Sequence, residues 1–152
     1  PVTDDPTPPR ERHFTSRLNN ALVRSVDDVL GLIESKREQI VDARAAARFR
    51  GEAPEPRAGL RGGHMPGAFN LPYNALLDPA TGTMLPADKL AARIAASGID
   101  PTKKVTASCG SGVTACVIAL ALYLTGSPEA AVYDGSWTEW GGRADTPIVT
   151  GP

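Results

Sequence analysis

Cys109 is the residue whose type and position in this sequence most favour a role as a nucleophile. It follows the short β-favouring run 105–108, and two glycines, Gly110 and Gly112, come directly after it. An apolar run long enough for a helix begins near Val113, so the sequence predicts a strand, a tight loop and a buried helix. Loop N–H groups and a helix N-terminus favour negative charge at that junction. We therefore expect the thiolate of Cys109 to be more stable than that of a free cysteine.

Two other interpretations of the loop compete with sulfur chemistry. Cysteine is among the most buried residue types, so Cys109 could have a purely structural role. Cysteine-dependent phosphatases need an arginine six positions after the cysteine to bind phosphate through two parallel hydrogen bonds. That position is Ala115 here, and the loop has no basic residue. The loop therefore favours sulfur transfer through a persulfide over phosphoryl transfer.

Three stretches carry recognisable motifs: Cys-Gly-Ser-Gly-Val-Thr at 109–114, Gly-His-Met-Pro-Gly-Ala at 63–68, and the stretch 130–140, which contains Asp-Gly-Ser-Trp. They resemble signatures of the rhodanese-type sulfurtransferase family, and the first is similar to the active loop of its 3-mercaptopyruvate branch. The resemblance covers roughly residues 25 to 147. It implies an α/β rhodanese fold, with a central five-stranded parallel sheet and helices on both faces, and no cofactor.

The resemblance also implies a set of site residues. Cys109 would carry the transferred sulfur as a persulfide, and Ser111 would relay a proton. Arg48 and Arg57 match by position the two arginines that hold the carboxylate and keto oxygen of 3-mercaptopyruvate, and guanidinium groups suit such planar oxygens. The other loop residues expected to bind substrate through their N–H groups are Gly110, Gly112, Val113 and Thr114.

The implied reaction moves sulfur from 3-mercaptopyruvate to Cys109 and then to a thiol or cyanide, with release of pyruvate. Two alternatives remain: a thiosulfate sulfurtransferase, and a non-enzymatic rhodanese module that carries persulfide to a partner protein or docks against it. The loop offers no cation to the sulfonate of thiosulfate, which favours mercaptopyruvate as the donor. The intact loop argues against a degenerate binding module.

Composition sets wider limits. The chain has 152 residues, a net charge of -1 and 41% hydrophobic residues, which suits one α/β domain and excludes a basic nucleic-acid-binding surface. No apolar run is long enough for a membrane span, and the first residues lack the pattern of a signal peptide.

Cys109 and Cys116 are expected to be free thiols, because they lie about 10 Å apart along the predicted helix, too far for a disulfide bond. His13 and His64 show no metal-ligand spacing. We expect no metal site and a reducing, cytoplasmic location.

Local patterns predict the elements around the site. Ser25 and Asp28 form a capping box for a helix that ends near Lys36, and residues 39–43 form a buried strand. The other predicted elements are a strand at 68–71, a helix at 86–96, a strand at 131–134 and a short helix with a capping box formed by Ser136 and Glu139.

Several polar and aromatic residues have predicted roles in the structure alone. Asp42 and Arg44 are expected to form an ion pair, and His64 to hydrogen-bond to the backbone. Trp137 and Trp140 are expected to be packing anchors.

The predicted domain organisation is a linker at 1–24, a catalytic rhodanese domain at 25–147 and a loosely held tail at 148–152. The chain begins at Pro1, as expected of a fragment or a processed product. Because mercaptopyruvate sulfurtransferases usually have two rhodanese domains, the resemblance implies a preceding domain. Residues 10–20 are expected to lie against it.

Overall fold

The computed structural model describes residue 4 and residues 13–127 and 130–152, so residues 1–3 and 5–12 of the predicted linker lie outside the described residues. The strands are β1 (Val23–Arg24), β2 (Gln39–Asp42), β3 (Phe69–Asn70), β4 (Val105–Ser108) and β5 (Ala131–Tyr133). The helices are α1 (Val26–Ser35), α2 (Ala46–Phe49), α3 (Ala87–Ala96), α4 (Ala115–Leu124) and α5 (Ser136–Trp140).

All five strands of the described sheet run parallel, in the order β1-β5-β4-β2-β3. The central strand β4 is paired with β2 along its whole length, from Val105 opposite Gln39 to Ser108 opposite Asp42. Its four residues are all buried, as expected of a parallel strand covered on both faces. The predicted α/β fold with a five-stranded parallel sheet is confirmed, and Cys109 follows the last residue of the central strand.

Two apolar clusters cover the two faces of the sheet. On one face, Val41 and Ala107 pack with residues of α3 and α4, such as Leu90 and Ile118. On the other face, the cluster contains residues of α1 and α5 packed against residues of β2 and β5: Val29, Leu32, Trp137 and Trp140 with Ile40 and Tyr133. Both tryptophans are completely buried, which confirms them as packing anchors.

The side chains at the start of α1 form the predicted capping box. The hydroxyl of Ser25 accepts a hydrogen bond from the N–H of Asp28, whose carboxylate accepts one from the N–H of Ser25. The predicted ion pair between Asp42 and Arg44 is also present and buried, with 2.7 Å between Nη2 and Oδ2. His64 is hydrogen-bonded as predicted: its Nδ1 donates to the carbonyl of Phe49 at 2.8 Å.

The two ends of the domain differ from prediction. Strand β1 lies inside the segment predicted as linker, and it pairs with β5 as an edge strand. The end of the chain is bonded rather than loosely held, because Val149 exchanges backbone hydrogen bonds with His64 and Gly151 donates to Arg50. Gly63 permits this contact, since a Cβ there would lie 2.4 Å from the carbonyl oxygen of Val149. No helix in the described part of the chain is long and apolar enough to cross a membrane.

Candidate active site

Cys109 lies at the floor of a pocket of about 270 Å³ at the carboxyl end of β4. Ligand sites of open parallel sheets lie at this edge. Of the predicted site residues, the pocket brings together Cys109, Ser111, Arg48, Arg57, Gly110, Val113 and Thr114. Its remaining lining residues are Ala43, Arg44, Ala45, Pro56 and Tyr73. Tyr73 and Pro56 carried no sequence signal, because each lies far from the cysteine motif in the chain, Tyr73 at the start of a short 3-10 helix and Pro56 in a loop.

The sulfur of Cys109 is placed to favour a thiolate, although only 1% of the residue is exposed. Burial raises the pKa of the thiol, but hydrogen bonds from the Thr114 hydroxyl, the N–H groups of Ser111 and Ala115, and the Ser136 hydroxyl outweigh burial. The pKa of Cys109 therefore lies below its ordinary value. Cys109 and Cys116 are both free thiols, as predicted, and Cys116 is exposed on α4.

Ser136 has a different role from the predicted helix cap. Its backbone φ is +47°, and helix α5 begins without a side-chain cap. Its hydroxyl oxygen accepts from the N–H of Cys109 at 3.1 Å and lies 4.0 Å from the sulfur. The carboxylate of Glu139 instead accepts from the hydroxyl of Tyr133 at 2.7 Å. The capping-box prediction was wrong because contacts with the neighbouring strand end outweigh the local pattern.

Gly112 is the predicted loop residue that does not line the pocket. It is buried with φ of +83°, and a Cβ there would lie 2.8 Å from the carbonyl oxygen of Asp134. The loop therefore needs glycine for its turn and for its close approach to the backbone that follows β5. Gly110 is constrained differently, because a Cβ at that position would lie 3.3 Å from Nη2 of Arg48.

The two predicted substrate arginines approach the loop from different elements. Arg48 lies in the last turn of the short helix α2, and its Nη2 donates to Oε2 of Glu55 at 2.5 Å. The side chain of Glu55 is buried and also accepts from Nη1 of Arg44 at 2.8 Å. Arg57 donates from Nη1 to the hydroxyl of Thr138 at 3.0 Å. Arg48 is thus positioned by a helix, whereas Arg57 lies in the irregular segment that follows it.

A chain of charges links this pocket to the core. Arg44 lies between Asp42 and Glu55 and stacks over Trp137 at 3.9 Å from the ring centroid. Arg57 also lines the pocket, and within the described part of the chain it forms no ion pair with a carboxylate. Three guanidinium groups and two carboxylates leave a net positive charge, which favours an anionic ligand and the thiolate.

These features define a class of protein: an α/β domain with a buried cysteine of lowered pKa, which lines a cationic pocket at the carboxyl edge of a parallel sheet. The chain belongs to the rhodanese family. The model described as "Rhodanese-like domain" matches residues 25–143.

Named relatives and solved structures agree with this assignment. The chain is 46% identical to thiosulfate sulfurtransferase of Bos taurus over 95% of its length, and 45% identical to 3-mercaptopyruvate sulfurtransferase of Escherichia coli over 91%. It spans 48% of each of these two relatives. The crystal structure of Tum1 from Saccharomyces cerevisiae matches 84% of the chain and 46% of its own chain, with a TM-score of 0.76 and 36% identity.

Proposed function

We propose that this domain is a sulfurtransferase that uses 3-mercaptopyruvate as its donor and Cys109 as the carrier of sulfur. The observation that carries the proposal is the buried Cys109 sulfur, whose thiolate is stabilised by hydrogen bonds, in a pocket that also contains Arg48 and Arg57. Relatives named for this activity support the same chemistry.

In the proposed first step, the Cys109 thiolate attacks the thiol sulfur of 3-mercaptopyruvate. A sulfur–sulfur bond forms, the carbon–sulfur bond breaks, and its electron pair leaves on the pyruvate enolate, which takes up a proton to give pyruvate. Arg48 and Arg57 are proposed to bind the carboxylate and keto oxygen, because guanidinium groups match two planar oxygens. Ser111 is exposed at the pocket and is proposed to relay the proton.

In the second step, a thiol or cyanide takes the outer sulfur of the persulfide and restores the Cys109 thiolate. The donors around Cys109 that stabilise the thiolate would also stabilise negative charge on the persulfide. Gly110, Val113 and Thr114 line the same pocket, and we propose that their N–H groups, with that of Gly112 behind the pocket wall, help to hold the outer sulfur. The reaction needs a reduced cysteine, which agrees with the proposed cytoplasmic location.

Thiosulfate is the second candidate donor, favoured by the 46% identity with the bovine enzyme of that name. The five residues after Cys109, from Gly110 to Thr114, carry no basic side chain. A sulfonate would therefore depend on the arginines alone. We expect kcat/KM to be higher with 3-mercaptopyruvate than with thiosulfate.

We further propose that the domain works beside a second rhodanese domain. The chain spans about half the length of its relatives, and Phe14 and Leu18 are largely exposed beside the domain. Helix α4 is apolar on all sides, yet Leu120, Tyr123 and Leu124 are exposed on it. Helices of this composition are normally buried on all sides, so these surfaces suit coverage by another domain.

The test treats the protein with 3-mercaptopyruvate and locates the added sulfur by peptide mass spectrometry. We expect the mass of one sulfur atom on the peptide that contains Cys109, and no turnover by Cys109→Ser. Cys116→Ser is the matched control and should behave as wild type, because Cys116 lies outside the pocket.

Each other outcome would change the assignment. Persulfide on Cys116 in place of Cys109 would contradict the mechanism. A higher kcat/KM with thiosulfate would select the second donor. A stable persulfide that passes only to a partner protein, and not to thiols or cyanide, would indicate the non-enzymatic module.

A further inference from the structure

Arg48 and Arg57 are held at the pocket in chemically different ways. The guanidinium of Arg48 is paired with Glu55, and its side chain is 26% exposed. The described contact of the Arg57 guanidinium is the neutral hydroxyl of Thr138, at 3.0 Å from Nη1. In the described part of the chain, Arg57 is thus held by a hydrogen bond to a neutral group and forms no ion pair.

The hydrogen-bond polarity at Thr138 is fixed by its second partner. The hydroxyl of Thr138 donates to the carbonyl oxygen of Gly110 at 2.6 Å, and the N–H of Thr138 donates to the same oxygen at 2.9 Å. Because the single hydroxyl hydrogen points to Gly110, the oxygen is left to accept from Arg57. Thr138 therefore joins Arg57 to the residue that directly follows Cys109.

We propose that Thr138 is a positioning residue that holds Arg57 beside the active loop and thereby sets the preference of the site for anionic ligands. The inference rests on the proposed function, in which Arg57 binds the carboxylate of the donor. An unrestrained arginine loses much rotamer freedom when it binds a ligand, whereas a hydroxyl partner orders it in advance. A carboxylate at the same place would order the guanidinium but would cancel its charge.

The first test replaces Thr138 by valine, which keeps the shape and the N–H bond to Gly110 but removes the hydroxyl. We expect KM for 3-mercaptopyruvate to rise about three- to ten-fold, the effect of one lost hydrogen bond, while kcat stays nearly unchanged. Thr138→Ser keeps the hydroxyl and should restore KM. Thr81→Val, a hydroxyl removal in an exposed loop outside the pocket, is the matched control.

A second measurement is independent of the donor. Iodoacetate and iodoacetamide both alkylate the Cys109 thiolate, but only iodoacetate is an anion. In Thr138→Val we expect the ratio of the iodoacetate rate to the iodoacetamide rate to fall. In an Arg57→Ala background, Thr138→Val should cause no further fall, because its effect acts through that arginine.

Three results would overturn the proposal: unchanged rates with both reagents in Thr138→Val, an equal slowing of both reagents, or a Thr138→Val effect that persists without Arg57. The last two would show that Thr138 only supports the loop. A fall in the ratio that depends on Arg57, in a protein that forms no persulfide with 3-mercaptopyruvate, would support the role of Thr138 and reject the proposed donor.

Discussion

Burial and hydrogen bonding act in opposite directions on Cys109, and hydrogen bonding is the stronger. Burial alone would raise the pKa of the thiol and make it unreactive at neutral pH. The Thr114 hydroxyl is the largest of the contributions that lower the pKa, followed by the N–H groups of Ser111 and Ala115. The reactivity of Cys109 is therefore a property of its donors rather than of its exposure.

Replacement of Thr114 by valine should raise the pKa of Cys109, because a donor to the thiolate is lost. Below the new pKa a smaller fraction of Cys109 is ionised, so alkylation by iodoacetamide at neutral pH should slow several-fold. Well above both pKa values the two rates should converge. The measurement is the rate of alkylation as a function of pH, which should shift toward higher pH in the variant.

Two further variants make this test specific to the Thr114 hydroxyl. Thr114→Ser should return the profile toward that of the wild type. Thr125→Val removes a hydroxyl from the other end of α4, where it donates to Ala121 and Leu122, and should leave the profile unchanged. An unshifted profile in Thr114→Val would show that the N–H groups and the Ser136 hydroxyl stabilise the thiolate without Thr114.

The sequence was sufficient to predict the site residues that lie in one local motif. It was insufficient for the residues that contact this motif from distant positions in the chain. Cys109 and its loop could be identified because a strand, two glycines and an apolar run are adjacent in the chain. Ser136 and Thr138 could not, since they reach the loop from helix α5, 27 and 29 residues after Cys109. In Ser136 the local capping pattern gave the wrong prediction, because the N–H of Cys109 needed an acceptor.

At the scale of elements, neighbouring motifs decided what could be predicted. Strands β2 and β4 have four residues each and were recognisable as short β-favouring runs. Strand β3 has only two residues but follows the motif at 63–68. Strand β1 also has two residues, has no such motif before it, and its existence depends on backbone pairing with β5. The bonds between Val149 and His64 are equally non-local, so the order of the C-terminal segment was not predicted.

The active loop is itself an element that depends on one glycine. Gly112→Ala should destabilise the domain by about 2 kcal/mol or more, because it adds left-handed strain and a contact with the carbonyl of Asp134. The variant should also alkylate more slowly at Cys109, since the displaced loop presents its N–H groups less well. Urea unfolding and the iodoacetamide rate measure the two effects.

Gly126→Ala is the matched control for this prediction. Gly126 has φ of +75°, close to that of Gly112, but a Cβ there would meet no atom of the described residues within 4 Å. It should therefore cost only the strain of about 1–2 kcal/mol and leave the Cys109 rate unchanged. Equal losses of stability in the two variants would show that the contact with Asp134 is relieved by a small shift.

At the scale of the whole molecule, the stabilisation of Cys109 and the binding of a donor depend on different parts of the structure. The donors to Cys109 all belong to this chain, so its thiolate is stabilised without any partner. The pocket, in contrast, is open at the exposed residues Ser111 and Val113. Water at that opening screens the charge of Arg48 and Arg57 and weakens their hold on a donor.

A second rhodanese domain should therefore raise turnover without much change in the intrinsic reactivity of Cys109. The test fuses the half of the Escherichia coli relative that this chain does not span ahead of residue 13. We expect the fused protein to exceed the isolated chain strongly in kcat/KM for 3-mercaptopyruvate, because coverage of the pocket excludes water. The iodoacetamide rate of Cys109 should stay within about two-fold, since its hydrogen-bond donors are local.

The surface involved can be tested in the same fused protein. Phe14→Asp and Leu18→Asp place charges on side chains that are 85% and 76% exposed in the described structure, where they cost this domain little. If these residues lie against the second domain, both substitutions bury an unpaired charge there and should remove much of the gain in kcat/KM. Thr81→Asp adds the same charge in an exposed loop outside the pocket and should leave the gain intact. A kcat/KM of the isolated chain, as a monomer, equal to that of the intact Escherichia coli enzyme would contradict the prediction, because it would show that the open pocket already binds and turns over the donor unaided.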